Sequence, residues 1–145
     1  MTTVPPRPQV RVGSILLIAG AIVHGVSVFL PWFKFEGETL NGRDSFITKD
    51  LTVLESPGNF WLFFAVVLLG LGLALLLTGR NLAVAIIAVV VSAIAVFFSL
   101  IGVGAASNMK DFAGGGSVGF GAILGILSVL VALSGSIIVL AKRRR

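Results

Sequence analysis

The chain has 145 residues, 57% of them hydrophobic and 12% charged, with a net charge of +5 and no cysteine. A soluble globule of this length has too little interior to hide so much apolar surface, whereas lipid accepts apolar side chains and leaves each helix to satisfy its own backbone. The missing cysteines exclude disulfides, thiolate zinc sites, iron–sulfur ligation and cysteine nucleophiles. Basic residues placed between apolar runs point to a membrane surface as their partner and away from nucleic acid.

Residues 1–11 carry Pro5, Pro6 and Pro8 beside Arg7 and Arg11, which predicts a short, extended, disordered basic tail. Residues 12–30 hold no Asp, Glu, Lys or Arg. As a helix they rise roughly 28 Å, close to a hydrocarbon core of about 30 Å, and Pro31 and Trp32 stop them at an interface. A cleaved signal peptide is the rival reading, but its apolar region runs to only about 7–15 residues before a small-residue cleavage site. Leu30-Pro31-Trp32-Phe33 has no such pattern. A second helix is predicted over 60–77, with Ser56 and Pro57 as N-cap and first-turn pair. Thr78, Gly79, Arg80 and Asn81 then turn the chain into an antiparallel third helix over 82–105. A fourth helix, 118–141, ends in Lys142-Arg143-Arg144-Arg145.

The fold class expected is therefore an all-α membrane protein, a four-helix antiparallel bundle forming a single domain over 12–141. Its orientation follows from the basic residues. With both termini inside, the cytoplasmic segments hold seven, Arg7, Arg11, Arg80, Lys142, Arg143, Arg144 and Arg145, and no acid. Lys34, Arg43, Lys49 and Lys110 fall outside with all six acids, so the positive-inside rule favours this topology in the plasma (inner) membrane. The outer segments are 31–56 and 107–117. In the first, Trp32, Phe33 and Phe35 suit an interfacial aromatic belt. Phe33-Lys34-Phe35-Glu36, the turn pair Asn41-Gly42 and Ser45-Phe46-Ile47-Thr48 predict a β-hairpin, with an irregular loop as the alternative. The second, with Gly114-Gly115-Gly116, is expected to be mobile.

Small residues mark the helix faces. Ala85, Ala88, Ser92, Ala95, Ser99, Gly102 and Ala106 recur at spacings of three and four on helix three. Gly121, Gly125, Ser128, Ala132 and Gly135 do so on helix four, beginning with a GxxxG, and Gly13, Gly20, His24 and Ser27 form a looser stripe on helix one. Helices have little hydrophobic drive to associate in lipid, so slim faces, close packing and interhelical hydrogen bonds must hold the bundle. One bundle packing internally and one seam docking another protein both fit these stripes. His24, the one titratable group inside an apolar run, should face protein as a neutral imidazole bonded to a Ser or a backbone carbonyl. A proton relay, a haem ligand and a cation contact are the rival roles, and a bis-histidine haem lacks its second His. Glu36 and Glu38 would share a strand face, but no His or Cys accompanies them, and the glycine run lacks the Lys and Ser/Thr of a phosphate loop. Lys142, Arg143, Arg144 and Arg145 suit anionic lipid headgroups.

Leu30-Pro31-Trp32-Phe33 closing the first helix, a short first loop, Gly/Ala/Val-rich helices and a basic C-terminus resemble the small four-helix membrane proteins of actinobacteria, many without assigned activity. The topology is also similar to claudin-type proteins, but the first loop lacks their Trp-Gly-Leu-Trp motif and cysteine pair. The resemblance implies a non-enzymatic accessory or scaffolding subunit of a larger respiratory or envelope complex. It would have membrane lipids and other integral subunits as partners, and neither cofactor nor nucleic acid. A small homo-oligomeric transporter or channel with His24 on its path is the alternative.

Overall fold

The computed structural model describes residues 8–35, 37–44, 46–48, 51–54, 57–78, 81–112 and 116–142. Four helices dominate: α1 (Pro8–Ser27), α2 (Pro57–Thr78), α3 (Leu82–Phe112) and α4 (Phe120–Lys142). All four are long and apolar enough, by length and composition, to cross a membrane. Five short strands join them: β1 (Pro31–Phe35), β2 (Glu38–Asn41), β3 (Phe46–Thr48), β4 (Leu51–Leu54) and β5 (Ser117–Val118).

The first helix lies four residues nearer the N-terminus than its uncharged run suggests. Pro8 is tolerated at its first position, where the missing N–H has no helical partner in any case. Its C-terminal end tightens into a turn, with Phe29 N donating to Val26 O (3.1 Å) and Leu30 N to Ser27 O (3.2 Å), which frees residues 31–35 to become a strand. The predicted tail is thus helical at 8–11, and its first seven residues lie outside the described set. Pro57 opens α2, while its proposed cap, Ser56, and the turn residues Gly79 and Arg80 lie outside the described residues. The side chain of Asn81 caps α3, its Oδ1 accepting from Ala83 N (3.1 Å) and Val84 N (3.3 Å). Helix α3 runs on to Phe112, so the segment expected to be mobile is helical in its first half; Gly114 and Gly115 lie outside the described residues.

The strands depart most from the sequence pattern. β1 pairs antiparallel with β2, placing Phe33 opposite Leu40 and Phe35 opposite Glu38. The reversal passes through Gly37, whose φ of 88° is a left-handed conformation that glycine adopts without penalty. Asn41-Gly42 is therefore not the hairpin turn. Gly42 N instead donates to Val28 O (2.9 Å), and Asn41 receives Arg43 N on its side chain (2.8 Å), so this pair ties the loop to the end of α1. β3 pairs with β4 in a separate ladder and not with β1. β5 adds to the other edge of β1, giving a small sheet ordered β2-β1-β5. Glu38 sits on β2, across the reversal from β1, and Glu36, expected to share a strand face with it, lies outside the described residues.

Helix α1 packs against α2 and α4, and α3 packs against the same two. The interior is made of small and apolar residues, Leu17, Leu68, Leu75, Ala88, Ala95 and Val129 among them. The outer surface is apolar too: Leu77 is 82% exposed, Val66 67% and Phe63 61%. Soluble monomers rarely expose contiguous apolar patches beyond a few hundred Å².

Candidate functional site

Glycines set how closely α1 and α4 approach. A Cβ on Gly20 would lie 2.6 Å from Ser128 O and 2.7 Å from Ala132 N; one on Gly135 would lie 2.6 Å from Gly13 O and 2.7 Å from Leu17 N. Hydrogen at these positions lets the two backbones touch along the seam, the contact that small residues provide where apolar solvent removes any drive for helices to associate.

At the strand-bearing end the crossing opens to admit an aromatic pair. Trp32 is fully buried, stacks on Trp61 with ring centroids 4.0 Å apart and planes at 18°, and donates from Nε1 to Ser27 O at 2.8 Å. Ser27 O thus accepts twice at the C-terminal end of α1, from Leu30 N and from the Trp32 ring. Gly102 of α3 and Gly125 of α4 make room for the rings: a Cβ on Gly102 would meet Trp61 and Trp32 side-chain carbons, and one on Gly125 would meet Ser27 Oγ at 3.1 Å and the Trp32 ring at 3.3 Å. Gly121 likewise faces the chain at Leu30, Pro31 and Trp32. The GxxxG of α4 is thus a slot for the segment after α1. Phe33 is also buried, so neither it nor Trp32 belongs to an interfacial belt. Loop aromatics are drawn inward because the glycines leave space that only a large ring fills.

His24 lies one turn below this pair and is fully buried. Its Nδ1 is 3.3 Å from Gly125 O, so the N–H resides on Nδ1 and links α1 to α4; Gly125 O also accepts from Ser128 Oγ at 2.7 Å. Among the described residues His24 Nε2 has no hydrogen-bond partner, and neither do Ser92 Oγ and Ser99 Oγ.

The stripe residues Ala85, Ala88, Ser92, Ala95, Ser99 and Gly102 all face the interior, as do Gly121, Gly125, Ser128 and Ala132. The expected interhelical serine bonds are replaced by local ones. Ser14 Oγ donates to Val10 O (3.0 Å), Ser27 to His24 O (2.6 Å), Ser128 to Gly125 O (2.7 Å) and Ser136 to Leu133 O (2.7 Å), each within its own helix. A serine hydroxyl reaches the carbonyl three or four residues back more easily than a neighbouring backbone. Lys142 is exposed in the last turn of α4, where its charge complements the helix dipole; Arg143, Arg144 and Arg145 lie outside the described residues.

Sequence reasoning missed Trp32, Trp61 and Phe33 as a packing unit. The signal was available only in part: Gly102 and Gly125 mark cavities on two helices, but their spacing does not say which ring fills them. Chemically, the arrangement is a lock between helices. Among the described residues no three of His, Cys, Asp and Glu come together as a metal-holding group.

A family model for the MiaB C-terminal domain matches residues 8–145. No curated protein and no solved structure matches the chain. The family match corrects several expectations. The chain is not one of the unassigned four-helix actinobacterial proteins, and neither an accessory or scaffolding subunit nor a small channel describes it. The family takes its name from MiaB, a radical SAM methylthiotransferase that modifies tRNA, and the match overturns the expectation of a non-enzyme. It overturns equally the expectation of membrane subunits as partners with nucleic acid excluded, and that of a multi-pass protein of the plasma (inner) membrane with both termini cytoplasmic. Composition misled here because it constrains the solvent around the helices and says nothing of the chemistry they serve.

Proposed function

This chain belongs to the MiaB C-terminal domain family, and from that premise we propose that it serves tRNA modification as the helical module of a MiaB-type enzyme system. The family match over residues 8–145 carries this reading.

The chain's own donor set does not fit the iron–sulfur cluster of a radical SAM enzyme. It has no cysteine, and its one imidazole is committed through Nδ1 to Gly125 O. The methylthiolation chemistry therefore resides in other parts of the system, and this module's work is positional.

Two features support a position. The outward-facing Leu77, Val66 and Phe63 suit four helices surrounded by hydrocarbon. The antiparallel order of the helices brings the start of α1, the end of α2, the start of α3 and the end of α4 to one end of the bundle. In the sequence, Arg7, Arg11, Arg80 and Lys142 to Arg145 flank or lie within those helix ends, without an acid among them. Such an end binds a phosphate backbone through counterion release, which positions an RNA without reading its bases.

The test is tRNA binding by the purified full chain across a salt series. Binding should weaken steeply between 50 and 200 mM salt, with losses on the order of 10³ or more if six or more phosphates are contacted. Replacing Lys142, Arg143, Arg144 and Arg145 together by Gln should flatten the salt slope by roughly three to four. A parent protein with no affinity for tRNA at the lowest salt overturns the proposal.

A further inference from the structure

The outer surface between α1 and α2 holds a groove of about 400 Å³ lined by Ile22, Val26, Phe29, Leu62, Val66 and Leu69 among others. Nearly all of its wall is hydrocarbon, and along α2 it runs from Leu62 to Leu69, seven residues or roughly 10 Å of helical rise. Charge appears at one end only. The Arg43 guanidinium stands over the Phe29 ring, 5.8 Å from its centroid. Its stem is pressed onto the first turn of α2, where a Cβ on Gly58 would come within 2.8 Å of Arg43 Cα and Cγ. The N-terminal amides of α2 add partial positive charge beside it. Among the described residues no carboxylate pairs with Arg43, and the nearby Asp44 accepts instead from Asn41 N at 2.8 Å.

A cation at the mouth of an apolar channel is complementary to an anionic headgroup on an acyl chain. We propose that this groove seats one acyl chain of an anionic phospholipid, with Arg43 meeting its phosphate. This rests on the hydrocarbon surround proposed above. The occupant is a lipid and not a partner helix because, among the described residues, the charge beside this apolar groove lies at one end, as it does on a phospholipid.

Native mass spectrometry of the full chain from dodecyl maltoside tests this, with phosphatidylglycerol or phosphatidylcholine added at equal concentration. The expected result is a retained phosphatidylglycerol adduct in preference to phosphatidylcholine. Arg43→Gln should reduce that preference roughly five-fold, the factor for one surface basic residue. Val66→Trp, which adds bulk inside the groove at an exposed position, should weaken binding of both lipids, and Leu127→Trp on the outer face of α4 should not. Equal retention of the two lipids by the parent overturns the inference, as does an Arg43→Gln and Val66→Trp pair that behaves like the parent. A chain that is extracted without detergent defeats the hydrocarbon surround itself, which separates that failure from this one.

Discussion

Alanine placed at two different glycines should move stability in opposite directions. At Gly20 the new methyl would sit 2.6 Å from Ser128 O and 2.7 Å from Ala132 N, and both atoms belong to a helix backbone that cannot rotate away. Ordinary contact begins near 3.4 Å, so α1 and α4 must separate by roughly 0.7 Å at the crossing. Overpacking of this kind costs about 1–3 kcal/mol. Alanine's better helix propensity offsets about 1 kcal/mol of it, leaving a net loss of up to about 2 kcal/mol. At Gly70 a Cβ meets nothing within 4 Å, so only the propensity term remains, a gain of up to about 1 kcal/mol. Unfolding of the detergent-solubilised chain by SDS titration, followed through Trp32 and Trp61 fluorescence, reads both. A Gly20→Ala variant that gains as much stability as Gly70→Ala, or a Gly70→Ala variant as damaged as Gly20→Ala, refutes the claim that a glycine seam sets the α1–α4 distance.

Three other substitutions probe the elements around that seam. Trp32→Ala removes a buried ring, its stack on Trp61 and a bond to Ser27 O, and should cost about 3–5 kcal/mol in the same titration. Asn81→Ala deletes the side-chain cap of α3 and should cost about 1 kcal/mol, seen as reduced amide protection at Ala83 and Val84 in hydrogen exchange. His24→Leu should be nearly neutral, within about 1 kcal/mol, since Gly125 O keeps its bond from Ser128 Oγ and an unpartnered ring nitrogen disappears. A loss of several kcal/mol there would mean that Nε2 has a partner essential to folding.

The periodic features were legible in the sequence. Four long apolar runs gave four helices, each long and apolar enough to cross a membrane, because a helix satisfies its backbone within the run itself. The stripe from Ala85 to Gly102 was visible for the same reason, since a spacing of three and four puts residues on one helical face whatever the partner. Function was not legible. The apolar stretches say nothing of chemistry, and the proposal of a role in tRNA modification rests on the family match alone.

Tertiary structure decided everything that depends on two distant segments meeting. Asn41-Gly42 has the local chemistry of a hairpin turn, yet the strands reverse at Gly37, because Gly42 N is claimed by Val28 O and Trp32 must enter the bundle. Trp32 reads locally as an interfacial residue and becomes the buried partner of Trp61, because Gly102 and Gly125, far along the chain, leave the volume it fills. Length and periodicity are properties of one segment and can be read from it. Which ring enters which gap depends on how four helices cross, and no single segment contains that.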